Sequence, residues 1–286
     1  MTERAPTNPP TPPSGPGPSR RGPGRRWVVA LVGIAGVAVA GLLAWIVLFG
    51  GEAPSTADID DAVGAVASPS PTASAPPSAE PQPSSAASTG PSAAPSDGPS
   101  GEDLDGTWQV DTSIGSFDDF SSSWAGFRVD EVLAQGIGRT TAVGRTPGVS
   151  GSLEFRGTVV DSATVEVDLT RIVSDRTRRD GAIQRSLDTA SFPTATFVLT
   201  RPLDLGGEPA EGTTLTGTAV GELTIHGVTR PAEFALEARL VGDVVAVVGS
   251  AAVAFSDFDV RMPSAPIVVS VEDDGILELQ LFFVPL

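Results

Sequence analysis

The sequence predicts an all-β domain, an antiparallel barrel or sandwich, joined to a membrane-spanning segment by a disordered linker. Three observations lead there. From Leu104 onward apolar and polar residues alternate at period two, and glycine-centred turn pairs separate these runs. Before Leu104 the chain is dominated by Pro, Ser, Ala and Gly, except for one uncharged apolar stretch.

Residues 1–26 carry five Arg against one Glu and almost no large apolar side chains. Such a segment cannot bury enough surface to offset the entropy of ordering, so it is expected to be a disordered cytoplasmic tail. Trp27 to Phe49 follows as 23 uncharged residues rich in Val, Ala, Leu and Gly. At ~1.5 Å per residue this run spans ~34 Å as a helix, enough for a hydrocarbon core of ~30 Å with slight tilt. Trp27 and Trp45 stand near its ends, where indoles favour the interface. Arg20, Arg21, Arg25 and Arg26 flank one end, and Glu52, Asp58, Asp60 and Asp61 the other. The positive-inside rule then keeps the N-terminus in the cytoplasm and sends the C-terminal domain out. A cleaved signal peptide is the competing reading. Its apolar region is shorter and ends at a small-residue site, for which only Ser55-Thr56-Ala57 offers itself, so a retained signal-anchor in the cell membrane is expected.

Residues 50–103 read as a Pro/Ser/Ala-rich disordered linker. Residues 52–103 hold ten prolines and eleven serines without a periodic apolar pattern. In polyproline II at ~3.1 Å per residue such a linker reaches up to ~160 Å, a stalk for the domain.

Within residues 104–286, Val165, Val167 and Leu169 alternate with Glu166, Asp168 and Thr170, and Phe234, Leu236, Ala238 and Leu240 with Ala235, Glu237, Arg239 and Val241. Leu277, Leu279, Leu281 and Phe283 alternate with Glu278, Gln280 and Phe282. One face goes to a core and the other to solvent. Counting similar runs at 123–133, 137–145, 151–160, 195–201, 213–226 and 243–255 with these at 164–170, 232–241 and 276–284, nine strands are candidates and eight are expected in a barrel. Turn chemistry lies at Gly206-Gly207, His226-Gly227, Gly242-Asp243 and Asp274-Gly275, and Pro263 and Pro266 make 261–266 a loop. A single helix is expected at 177–188, with Ile183 and Leu187 at i, i+4. One inward face reads Leu215, Gly217, Ala219, Gly221, Leu223 and Ile225. Its small residues leave room for a ligand, for a neighbouring aromatic ring, or for a bend.

Composition narrows the function. All 18 basic residues are Arg, there is no Cys, and the net charge is −17. Without Cys there is no disulfide, thiolate nucleophile or lipidated cysteine. An acidic domain repels phosphate backbones, so no nucleic-acid partner is expected. His226 is the single histidine, which excludes His pairs and multi-His metal sites within one chain. At its turn it reads as structural, its ring nitrogens bonded to backbone or threonine hydroxyls, with a ligand contact at the barrel mouth as the other reading. Arg179 reads as a helix-end ion pair with Asp180 or as a contact to a polar ligand head. The carboxylates at Asp118-Asp119, Asp257/Asp259 and Glu272-Asp273-Asp274 lack the spacing of a cation loop. No nucleophile elbow, phosphate loop or His-Glu-x-x-His occurs. No catalytic residue, metal or cofactor is expected, and the domain reads as a binder rather than an enzyme.

Several segments resemble the YceI-like family of lipocalin-like, polyisoprenoid-binding proteins. The best is Gly221-Glu222-Leu223-Thr224-Ile225-His226-Gly227-Val228-Thr229. A second is Arg179-Asp180 followed by Ser191-Phe192-Pro193-Thr194-Ala195-Thr196-Phe197, and a weaker third is Gly106-Thr107-Trp108-Gln109-Val110-Asp111. The resemblance implies an eight-stranded lipocalin-like barrel, partly covered by a helix, with a long apolar lumen for an isoprenoid or other long-chain lipid. The family's commoner pattern has histidines after the opening Trp and after the Arg-Asp pair. Here Thr112-Ser113-Ile114-Gly115 and Gly181-Ala182-Ile183 stand instead, so head-group contacts through those histidines are not expected. Alternation, the Gly217–Gly221 gap and the resemblance together nominate Phe155, Val167, Phe197, Leu223, Ile225, Phe234, Leu236 and Phe255 as the residues facing the lipid. The alternative is a cell-envelope adhesion or scaffold domain without a lipid ligand, which needs an exposed patch instead of a lumen. A homodimer is left open by the sequence.

Overall fold

The computed structural model describes residues 53–67, 104–133, 138–262 and 268–286, and Ala53–Leu286 form one compact unit. The expected transmembrane stretch, the N-terminal tail and linker residues 68–103 lie outside the described residues. No helix among the described residues is long and apolar enough to cross a membrane.

Twelve strands are described: β1 (Gly106–Asp111), β2 (Trp124–Leu133), β3 (Gly138–Thr146), β4 (Val149–Arg156), β5 (Val159–Asp168), β6 (Val173–Ser174), β7 (Thr194–Leu199), β8 (Leu203–Asp204), β9 (Thr214–Ile225), β10 (Val228–Val241), β11 (Val244–Ala254) and β12 (Val268–Pro285). Eight of them, in the order β1-β4-β5-β7-β9-β10-β11-β12, close into an antiparallel barrel through β12 and β1. The 18-residue β12 makes closure possible. One edge of it pairs with β1 from Phe282 to Pro285 and with β2 from Val268 to Gln280, while its other edge pairs with β11. The β2–β3 hairpin and β6 extend the sheet beyond this seam. Full closure leaves no free edge around the ring.

Two short helices accompany the barrel: α1 (Ile59–Ala67) and α2 (Thr177–Ser186). α2 is the expected helix, and Ile183 and Leu187 bury the predicted apolar pair. α1 corrects the linker reading. Residues 53–67, taken in sequence as part of a disordered linker, form an extended segment and a helix packed on the barrel wall. Averaged composition hid a local signal. Asp58 caps the helix through the amides of Asp60 (2.8 Å) and Asp61 (3.4 Å), and Ile59 and Ala62 give it an apolar face.

The strand pattern needs three further corrections. The run at 151–160 is not one strand: β4 ends at Arg156 and β5 begins at Val159, with Gly157 at φ +63° in the turn. A two-residue turn preserves the alternation, so periodicity alone does not reveal it. Asp274-Gly275 is no turn either. It lies within β12 at a register shift opposite β2, where the Phe255 ring packs over Gly275. Finally, Glu278, Gln280 and Phe282, expected on a solvent face, are all buried. The loop 112–123 and the segment 53–67 cover that outer face. Gln280 Nε2 donates to the carbonyls of Phe120 (3.0 Å) and Ser122 (2.9 Å), and the Phe282 amide donates to Ser123 Oγ at 3.0 Å.

The lumen as candidate functional site

Inward residues from all eight ring strands make one core, yet they do not fill it. Among the described residues two apolar cavities lie within it, of about 130 and 110 Å³. The larger lies toward the β1 end of the barrel, against Trp108, Leu153, Phe155, Val160, Leu203 and Leu236. The smaller lies toward α2, against Val167, Leu169, Leu187, Leu223, Ile225 and Phe255. Four side chains, Val165, Phe197, Phe234 and Leu279, border both. They form a waist across the lumen. At its centre the rings of Phe197 and Phe234 meet edge to face, 5.1 Å between centroids at 73°. Such an arrangement is itself favourable for the aromatic quadrupoles.

The structure places all eight nominated residues on these walls. Phe155 and Leu236 face the larger cavity, Val167, Leu223, Ile225 and Phe255 the smaller, and Phe197 and Phe234 both. It also resolves the three readings of the small inward residues. A β-carbon on Gly221 would meet the carbonyl oxygen of Val198 at 2.3 Å and the Phe197 ring at 2.5 Å. The space at Gly221 thus belongs to a neighbouring strand and an aromatic ring. Gly217 lines the larger cavity, with the Leu203 side chain 2.9 Å from where its β-carbon would stand. Sequence reasoning missed Leu203 and Leu205, because β8 is only two residues long and carries no period. Trp108, Leu279, Leu281 and Phe283 also line the lumen, with a legible signal in the Gly106–Asp111 motif and in the alternation of β12.

Polar groups gather at the α2 end. A cleft there is lined by Arg185, Ser186, His226, Ser256, Asp259 and Arg261. The expected Arg179–Asp180 pair does not form. Arg179 binds Asp175 at 3.1 Å and Glu131, while Asp180 accepts from the Ser174 amide (2.8 Å) and hydroxyl (2.6 Å). On a helix, neighbours in sequence point apart, whereas Asp175 sits at i−4 from Arg179. Burial raises the Glu131 carboxyl above its ordinary value, against the opposing pull of Arg179. The acidic groups at Asp118-Asp119 and Glu272-Asp273-Asp274 are absorbed locally. Asp119 accepts from the Ser121 hydroxyl (2.6 Å) and amide (3.0 Å), and these bonds hold its carboxyl below the usual range. Glu272 pairs with Arg139 at 2.9 Å, and Asp273 accepts from the Ser256 amide at 2.9 Å.

His226 and Gly227 take φ +52° and +73°, the two positive values of a tight hairpin turn between β9 and β10. The threonine hydroxyls expected to bind the imidazole bind each other, Thr224 to Thr229 at 2.8 Å. The ring rests on Phe192, 4.5 Å between centroids, and its Nδ1 is buried without a hydrogen-bond partner among the described residues. The hairpin motif and the Ser191-Phe192-Pro193 motif are therefore in contact. A β-carbon on Gly227 would lie 2.6 Å from the Phe192 ring. Gly227→Val is expected to cost at least ~2 kcal/mol, from left-handed strain and displacement of that ring, and His226→Gln less than ~1 kcal/mol. Urea melts of the two variants check this, and equal midpoints would shift the role from turn to imidazole.

With this geometry in place, comparison is decisive at the level of the family. The family model of the YceI-like domain matches residues 108–283. The chain belongs to the YceI-like family. The chain is also similar to a number of solved structures, three of which follow. One is a polyisoprenoid binding domain from Saccharophagus degradans implicated in plant cell wall breakdown (17% identity, 63% of this chain and 98% of that one, TM-score 0.47). The second is BcnA of Burkholderia cenocepacia (19%, 55% and 95%, TM-score 0.41). The third is the Campylobacter jejuni YceI protein (18%, 49% and 82%, TM-score 0.40). No curated protein matches the sequence. The match to the YceI-like domain begins within β1 and ends within β12, so α1 lies outside it.

Proposed function

We propose that this protein is a membrane-tethered, extracytoplasmic binding protein that holds an isoprenoid or other long-chain lipid in its barrel lumen and performs no catalysis. The observation that carries the reading is the pair of apolar cavities set end to end and sharing one waist. A space of that lining repels water and accepts hydrocarbon. An engineered protein cavity of about 150 Å³ stays dry and takes up a molecule the size of benzene. Cavities of about 130 and 110 Å³ are of the same order, so a long chain has to occupy both and pass the waist. The uncharged stretch Trp27–Phe49, with arginines on one flank and acids on the other, supports the tether and its direction.

Thermal melts of delipidated and gently purified protein test the reading. At a hundredfold excess over Kd a bound lipid adds about 2.7 kcal/mol. In a domain of this size each kcal/mol moves the melting temperature by ~2–4 °C, so delipidation is expected to lower it by roughly 5–10 °C. A long isoprenoid or fatty chain should restore it and a short water-soluble analogue should not. Leu236→Arg should abolish the restoration, because an unpaired charge in an apolar lumen is costly. Coincident melts, with no lipid found by mass spectrometry, would remove the carrier reading and leave the envelope-adhesion alternative.

A further inference from the structure

The outer wall of the barrel carries a site that the lumen reading does not use. On β2 and β3, Arg128 and Arg145 share a single buried carboxylate, Glu278, at 3.1 and 3.8 Å. Arg145 is only 4% exposed in its side chain, and its guanidinium lies over the rings of Trp124 (3.9 Å) and Phe120 (4.5 Å). A buried and a half-buried cation facing one anion require further acceptors. Main-chain carbonyls supply them: Arg128 Nη2 donates to Pro54 O at 2.9 Å, and Arg145 Nη2 donates to Ser55 O. Loss of solvent also pulls the Arg145 guanidinium down to about 10. Beside this polar pair the outward residues Ala246, Val248 and Phe282 make an apolar pit, filled by Ile59 and Ala62 of α1. Ala62, Ala246 and Phe282 are wholly buried there. An ion pair closes the far side, Asp60 to Arg239 at 2.8 Å.

These three contacts differ in kind and are ordered along one short stretch of chain. Carbonyls come first, then an apolar face, and the acid that meets Arg239 sits in the first helical turn. A nine-residue helix is not stable alone in water, so the wall is what holds it. We infer that the barrel's outer wall is a receptor for the chain's own segment 53–67, and that this docking sets the working length of the tether. With the segment docked, only residues 50–52 separate it from the apolar run ending at Phe49, in place of the whole stretch 50–103. Residues 68–103 then begin and end at the same folded unit, so they add nothing to the chain length between Phe49 and the barrel. The inference stands apart from the lipid reading, since Ala246, Val248 and Phe282 of the pit, and Ile59 and Ala62 that fill it, border neither cavity, although Glu278 and Arg239 do.

Hydrogen exchange on the full chain in detergent micelles tests it. Because a free helix of this length gives no protection, slowed exchange at 59–67 reads docking directly. Wild-type amides of α1 are expected to exchange at least about tenfold more slowly than an unstructured peptide. Ala62→Asp puts a charge into the pit and should return them to the unstructured rate, with β9–β12 still protected. Unprotected wild-type amides would overturn the inference, and so would protection that survives Ala62→Asp. The natural chain has no cysteine, so Asp60→Cys with Arg239→Cys gives a unique pair for a short bis-maleimide. Cross-linking within one chain is expected. Cross-linking that yields only dimers would show the segment exchanged between copies and would sink the claim that it sets the chain's own tether.

Discussion

Gly221→Val is expected to be among the most damaging single changes in the barrel. Its first new carbon would stand 2.3 Å from the Val198 carbonyl oxygen and 2.5 Å from the Phe197 ring. The ring can turn, but the carbonyl belongs to β7, hydrogen-bonded alongside β9, so the two strands must part. Overpacking of a closed interior costs ~1–3 kcal/mol when side chains alone adjust, and a displaced backbone places the cost at or above the upper end. At ~2–4 °C per kcal/mol the melting temperature should fall by roughly 10 °C. Pairing Gly221→Ala with Phe197→Ala separates the causes. Relief in the double variant assigns the damage to the ring, whereas simple additivity assigns it to the backbone.

Phe234→Ala is expected to cost as much or more, by an amount that depends on what fills the barrel. Removing a buried phenylalanine costs ~3–5 kcal/mol from lost transfer energy and the cavity left behind. Here the new space opens between two existing cavities, because Phe234 borders both. Delipidated protein should show the full loss in urea melts. Protein carrying a long chain should lose markedly less, since hydrocarbon occupies the vacated ring. Mass spectrometry of lipids retained by the variant should show longer chains than wild type. Equal losses with and without lipid would mean that no ligand passes the waist.

How much of this was legible in the sequence depends on which face a residue serves. The inward face was readable, because burial on one side of a strand writes a period of two: Phe234, Leu236 and Leu240 go inward as their spacing demands. The eight nominated residues reach the lumen walls for the same reason. The outer face was not read, though it left a trace. β11 runs Val244-Val245-Ala246-Val247-Val248 without alternation, the mark of a strand covered on both sides. What covers it, α1, lay in a stretch judged by average composition, where Pro and Ser masked a short capped helix. Partner choice was the least legible. Arg179 prefers Asp175 and Glu131 to its neighbour Asp180, and nothing in a linear pattern places β2 beside α2.

The two tryptophans of the folded unit stand on opposite sides of the barrel wall. Trp108 lines the larger cavity and donates to Leu104 O at 2.8 Å, while Trp124 lies outside it, 1% exposed beneath the Arg145 guanidinium. The chain contains no tyrosine, so indole emission from residues 53–286 has no phenol background. Each ring is therefore a fluorophore for a separate event. Trp108 reports what enters the lumen, and Trp124, through the cation stacked on its face, reports whether the segment 53–67 is seated. With Trp27 and Trp45 already changed to Phe, single Trp→Phe versions of the other two split the signals, so that one titration with a quencher-labelled lipid shows whether filling the barrel changes the state of its outer wall.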